Sequence, residues 1–91
     1  MEKFIRNPRT AWREYDGQVM VITPDDSKLH TLNESGSFLW KSLGEDGDTQ
    51  DGLVAKLLEE FEVTQEEAKK DTKAFLKLMV EKQLAVRNQA S

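Results

Sequence analysis

Ninety-one residues make one small domain, near the lower limit for a chain that folds around a single core. Thirteen basic against seventeen acidic residues leave a formal charge of -4, which weighs against a nucleic-acid binder, since these carry a basic excess. Without cysteine there is no disulfide and no thiolate zinc site, and one histidine cannot build a multi-histidine metal site.

The opening stretch MEKFIRNPRT lacks the apolar run of a signal peptide. No segment approaches the roughly 20 apolar residues of a membrane span, so a soluble cytoplasmic protein is expected. Residues 1–9 read as a flexible N-terminal segment, in which Phe4 and Ile5 form a strand fragment that Asn7-Pro8 interrupts. Ala11–Tyr15 reads as the first strand of a meander, Trp12 on one face and Tyr15 on the other. Asp16-Gly17 then signals a two-residue hairpin, because both positions tolerate the positive φ of a type I′ turn. In the second strand, Gln18–Thr23, the run Val19-Met20-Val21-Ile22 is apolar on both faces. That suits a central strand whose second face is covered by the N-terminal segment, another subunit or a partner. Thr23-Pro24-Asp25-Asp26-Ser27 is turn-forming, with Pro24 suited to position i+1. The third strand, Lys28–Leu32, returns to the sheet edge and leaves its outer N–H and C=O groups unpaired.

Asn33 is placed as the cap of a first helix, from about Glu34 to Leu43, with Glu34 in the turn where a carboxylate suits the helix dipole. Ser35, Gly36 and Ser37 give it a small-residue start. Phe38, Leu39 and Leu43 fill one face with Trp40 beside them, and Gly44 ends it. A second helix from about Thr49 to Phe61 carries Leu53, Val54, Leu57, Leu58 and Phe61 as one apolar stripe. Thr64-Gln65-Glu66-Glu67 is a capping box that opens a third helix, reaching about Lys82. Ala68, Thr72, Phe75 and Met79 share its core face, with Leu76 at the margin. Leu84-Ala85-Val86 reads as a short extended tail and Arg87–Ser91 as a frayed end. The domain is therefore α+β and winged helix-turn-helix-like: a three-stranded antiparallel meander followed by three helices, over residues 10–86.

Catalytic chemistry is not legible. From Asp46 to Gly52 the chain resembles a calcium loop, but the glycine falls one position late and the twelfth position is Leu57. His30 has no nucleophile at recognisable spacing and no orienting partner. Adjacent carboxylates such as Glu59-Glu60 and Asp25-Asp26 do not face one another as an acid/base pair. There is no glycine-rich phosphate loop, so neither an enzyme nor a cofactor is expected. Two features remain. The edge strand Lys28–Leu32 is either an ordinary edge, blunted by Lys28 and its shortness, or an acceptor for an extended peptide. Lys69, Lys70, Lys73 and Lys77 form a stripe on the third helix, by default a solvated face, alternatively one bank of a groove that attracts an acidic segment.

Set in this order, several blocks resemble a known family. They are Trp12-Arg13, Asp16-Gly17, Pro24, Leu32-Asn33-Glu34-Ser35-Gly36, Leu39-Trp40, Thr49, Leu58 through Phe61-Glu62-Val63, and Asp71 with Phe75-Leu76. Over residues 10–86 the chain resembles coenzyme PQQ synthesis protein D (PqqD), the LNESG and LW residues being the most specific. The resemblance implies a recognition element for the leader of a ribosomally synthesised precursor peptide. Such an element presents the leader to a modifying enzyme, often a radical S-adenosylmethionine enzyme, in the biosynthesis of PQQ or a related product. It also implies that the peptide adds to the third strand in the cleft beside the third helix. Carried onto this chain, the contacts are Lys28, Leu29, His30, Thr31 and Leu32, with Lys69, Thr72, Lys73 and Leu76 on the helix. Gly52 at the start of the second helix, and Lys82-Gln83-Leu84 without a helix-ending glycine, depart from the family pattern. Two other readings stand beside this one: a winged-helix DNA binder using helix 65–82, and a dimerisation domain suggested by the doubly apolar second strand.

Overall fold

Val19 and Val21 alternate along one strand and both are fully buried, and the fold is laid over the face they define. The computed structural model describes residues 2–23, 27–44 and 46–89. Its elements are β1 (Glu2–Arg6), β2 (Ala11–Tyr15), β3 (Gln18–Ile22), β4 (Leu29–Thr31), α1 (Glu34–Leu43), α2 (Gln50–Glu60), α3 (Gln65–Glu81) and β5 (Ala85–Gln89). β2, β3 and β4 form the expected antiparallel meander with β3 in the middle. Asp16 and Gly17 join β2 to β3 at φ 51° and 83°, the paired positive angles a type I′ turn requires. Pro24, Asp25 and Asp26, expected to build the next turn, lie outside the described residues, as do Met1, Glu45 and the last two residues of the tail.

The three helices begin where their caps predict. Asn33 Oδ1 accepts from Gly36 N–H at 2.7 Å, Thr49 Oγ1 from Gly52 N–H at 3.0 Å, and Thr64 Oγ1 from Glu67 N–H at 3.1 Å. Their apolar stripes meet over the sheet: Leu39, Trp40 and Leu43 from α1, Leu53, Val54 and Leu57 from α2, and Ala68, Phe75, Leu76 and Met79 from α3. Phe38 lies at the margin and meets Phe61 edge to face. Gly52, the departure in α2, is a matter of space. A Cβ there would fall on the Asp48 carboxylate, which accepts from Thr49 N–H at 2.7 Å and pairs with Lys56. Among the described residues no helix is long and apolar enough to cross a membrane.

The ends of the chain correct the sequence reading. Residues 1–9 were expected to be flexible and 87–91 frayed, but β1 and β5 pair antiparallel from Glu2–Gln89 to Arg6–Ala85. Phe4 supplies the reason: it is buried, and its backbone exchanges hydrogen bonds with Asp48 at 2.8 and 3.1 Å. Just past β1, Asn7 N–H and Nδ2 donate to the carbonyls of Leu84 and Gln83 at 2.9 and 2.8 Å. Arg6 caps the far end of α1: Nε and Nη2 donate to Trp40 O at 2.9 and 2.7 Å, and Nη2 also to Lys41 O at 3.0 Å. Its guanidinium lies over the Trp12 and Trp40 rings, so cation–π attraction adds to a charge-assisted cap. The N-terminal segment is thus committed to β5 and α1 and does not cover the second face of β3.

α3 ends without glycine by forcing Gln83 to φ 61°. Gln83 N–H donates to Val80 O at 3.1 Å and Leu84 N–H to Met79 O at 2.8 Å, the two bonds of a Schellman closure, with Leu84 and Met79 both buried behind it. A side chain held at positive φ costs free energy that glycine avoids. Gln83→Gly is therefore expected to stabilise the protein by about 0.5–1 kcal/mol, read from the midpoint of urea unfolding; a lower midpoint would show that the side chain stabilises the closure.

Candidate functional site

β4 borders the sheet, and its register decides which backbone groups it offers. Leu32 N–H donates to Val19 O at 2.9 Å and Thr23 N–H to Lys28 O at 3.1 Å. In the observed register, Val21 opposite His30, alternation makes residues 28, 30 and 32 the hydrogen-bonded partners of β3. Leu29 and Thr31 therefore turn their N–H and C=O groups outward, and no strand among the described residues flanks β4 on that side. The side chains alternate as well. Leu32 is buried toward the helices and His30 is half-buried, whereas Leu29 and Thr31 are exposed on the opposite face.

One buried hydroxyl sets how β4 passes into α1. Ser37 Oγ accepts from Val19 N–H at 2.8 Å and donates to Leu32 O at 3.2 Å. The side chain stands between a donor and an acceptor that would otherwise form the next rung of the ladder. The strand can thus peel away into the helix while both buried groups stay paired. Gly36 keeps this corner tight: a Cβ there would lie 2.9 Å from Asn33 Oδ1 and 3.7 Å from the Phe75 ring. The LNESGS run is thus a strand end, a cap, a close approach and a bridging hydroxyl in succession.

Beside the free edge lies a groove of about 440 Å3, lined by Thr31, Leu32, Asn33 and Ser35 on one side and by Asp71, Ala74, Phe75 and Leu78 on the other. The helix residues recur at i, i+3, i+4 and i+7, one margin of α3. Leu78 is 47% exposed there, an apolar side chain with no core to fill. Of the nine residues expected at a peptide site, Thr31 and Leu32 line the groove, and Lys28, Leu29 and His30 precede them along the same chain segment. Thr72 and Leu76 are buried in the core, because they belong to the same stripe as Ala68 and Met79. Lys69 and Lys73 are exposed and are not among the groove-lining residues. The sequence reading did not single out Asp71, Ala74 and Leu78, which line the groove; the available signal was Leu78, apolar and outside the core stripe.

The second face of β3 is open. Ile22 and Leu29 sit opposite one another at 41% and 59% exposure, beside Ala11, Arg13 and Met20. Among the described residues no group of three or more His, Cys, Asp or Glu could hold a metal ion.

The family model described as "Coenzyme PQQ synthesis protein D (PqqD)" matches residues 18–85. A search of curated proteins gives no match. Among solved structures, the fold is shared with TbiB1 in complex with the TbiA(beta) leader peptide, at 22% identity and a TM-score of 0.81, covering 96% of this chain and 99% of that one. It is shared also with lasso peptide synthetase B1 complexed with the leader peptide, at 20% identity and a TM-score of 0.78, covering 91% of this chain and 96% of that one.

Removing the bridging hydroxyl tests the corner. Ser37→Ala leaves the Val19 N–H buried without its acceptor, at an expected cost of about 1–3 kcal/mol in urea unfolding. A loss below about 0.5 kcal/mol would show that Val19 N–H finds Leu32 O directly.

Proposed function

The chain belongs to the family of coenzyme PQQ synthesis protein D, and from that premise we propose that it is a non-catalytic recognition element for the leader of a ribosomally synthesised precursor peptide. The leader adds as a strand to β4, taking the outward N–H and C=O groups of Leu29 and Thr31, and every second side chain enters the groove beside α3. Backbone hydrogen bonds then supply affinity without regard to sequence, and the groove supplies register and selectivity. The observation that carries this reading is the conjunction of an unclaimed strand border with a groove that ends in an exposed leucine. The leader peptides bound to TbiB1 and to lasso peptide synthetase B1, which share the fold, support it.

The finer parts of the proposal follow from the family. The bound leader is presented to a modifying enzyme, of the radical S-adenosylmethionine or another peptide-modifying type, in the making of PQQ or a related product. The open face of β3 leaves room for that enzyme or for a second copy of the chain. The arrangement of sheet and helices is winged helix-turn-helix-like, turned to peptide rather than DNA, and a reducing cytoplasm suits a chain without cysteine. The peptide contacts we assign are the segment Lys28–Leu32 and, from α3, Asp71, Ala74, Phe75 and Leu78. Lys69 and Lys73 contribute only at long range.

Thr31→Pro discriminates sharply, because the N–H it removes is turned away from β3 and no rung within the sheet is lost. Titration of the labelled protein with precursor peptide is expected to give amide shifts concentrated at Lys28–Leu32, and the variant is expected to bind about tenfold more weakly. Undiminished affinity in a variant whose remaining amide spectrum is unchanged would exclude strand addition at β4.

A further inference from the structure

The proposed groove holds one charged residue, and its sign is opposite to that of the lysine stripe. Asp71 lines the groove, and among the described residues its carboxylate has no hydrogen-bond or ion-pair partner. Glu67 precedes it by four residues and so lies on the same side of α3. Lys69 and Lys73, which would favour an acidic ligand, are outside the lining. The remaining lining is polar at Thr31, Asn33 and Ser35, and otherwise apolar, with Phe75 and Leu78 its largest side chains on α3. Asn33 Oδ1 is already engaged in the α1 cap, so the one charged acceptor that the groove offers is Asp71.

Resting on the reading of β4 as a peptide acceptor, we propose that Asp71 is a specificity residue: the groove selects peptides that present a cationic side chain beside an apolar one. A strand carries its same-face side chains two residues apart, ~6.7 Å. Asp71 and the Phe75–Leu78 pair are separated along the helix by roughly 6–10 Å at 1.5 Å per residue. An added strand therefore seats an apolar side chain against Phe75 and Leu78 while Lys or Arg, two residues away, reaches the Asp71 carboxylate. The Asp71 end is open to water, so the ion pair sets preference more than affinity.

The test is selection of a displayed library of random 12-residue peptides on the full chain and on its Asp71→Asn and Asp71→Lys variants, followed by titration of the selected peptides. On the natural chain the selected peptides are expected to carry Lys or Arg two positions from an aromatic or branched apolar residue. These peptides should bind Asp71→Asn about two- to fivefold more weakly, and Asp71→Lys should select Asp or Glu at that position instead. If the same peptides bind all three proteins equally while still shifting the Leu29–Leu32 amides, Asp71 does not select and this inference falls, with the site itself intact. If no selected peptide shifts those amides, the reading of β4 as a peptide acceptor falls as well.

Discussion

A single hydroxyl, Ser37 Oγ, holds the strand and the helix at the angle on which the site depends. It bonds Val19 N–H and Leu32 C=O together; Gln18 Nε2 also donates to Leu32 O, so the buried Val19 N–H is the group that would be costly to leave unpaired. A direct rung at that position would carry β4 onward along β3 and move α1 away from the sheet. With the hydroxyl inserted, β4 stops after three residues, Asn33 caps α1 at once, and the last strand residues stand beside α3 with their outer backbone groups free. The buried polar side chain here serves geometry more than it adds stability.

The rest of the fold keeps that border clear. A domain this small cannot leave its ends loose without losing core, and it secures them on the far side: β1 pairs with β5, and Arg6 reaches across to close α1 over Trp12 and Trp40. The two strands β1 and β5, which could have lain along the meander, are thereby held elsewhere. Neither border of the three-stranded sheet is paired to another strand among the described residues, and β2 is exposed along its whole length. Edges in this state invite association. Charged residues at Arg13 and Glu14 and the brevity of β4 limit that tendency.

Much of this was legible in the sequence, for local reasons. Caps, the Asp-Gly turn and apolar periodicity act within a few residues, and they placed all three helices and the three strands of the meander. Pairing of β1 with β5 was not legible, because Glu2, Lys3 and Arg6 read as surface and the partner lies some eighty residues along the chain, where no turn chemistry announces it. The helix side of the site was only half legible. The core stripe Ala68, Thr72, Phe75 and Met79 was legible, yet Thr72 and Leu76, also expected to meet a ligand, are enclosed in the core and do not line the groove, whereas Phe75 at the edge of the stripe does. The lysines drew attention by their number, whereas the groove is marked by one aspartate without a partner among the described residues and by one exposed leucine. The LNESG block, the most specific part of the family resemblance, is also where the geometry leaves least freedom.

The most direct test of the account is hydrogen exchange at the four consecutive amides of Leu29 to Leu32, along β4 and the residue that follows it. In the free protein, Leu29 and Thr31 should exchange rapidly while His30 and Leu32, bonded to β3, are protected; saturating precursor peptide should then slow Leu29 and Thr31 selectively. Protection of Leu29 and Thr31 in the free chain, or rapid exchange that persists in the complex, would contradict it.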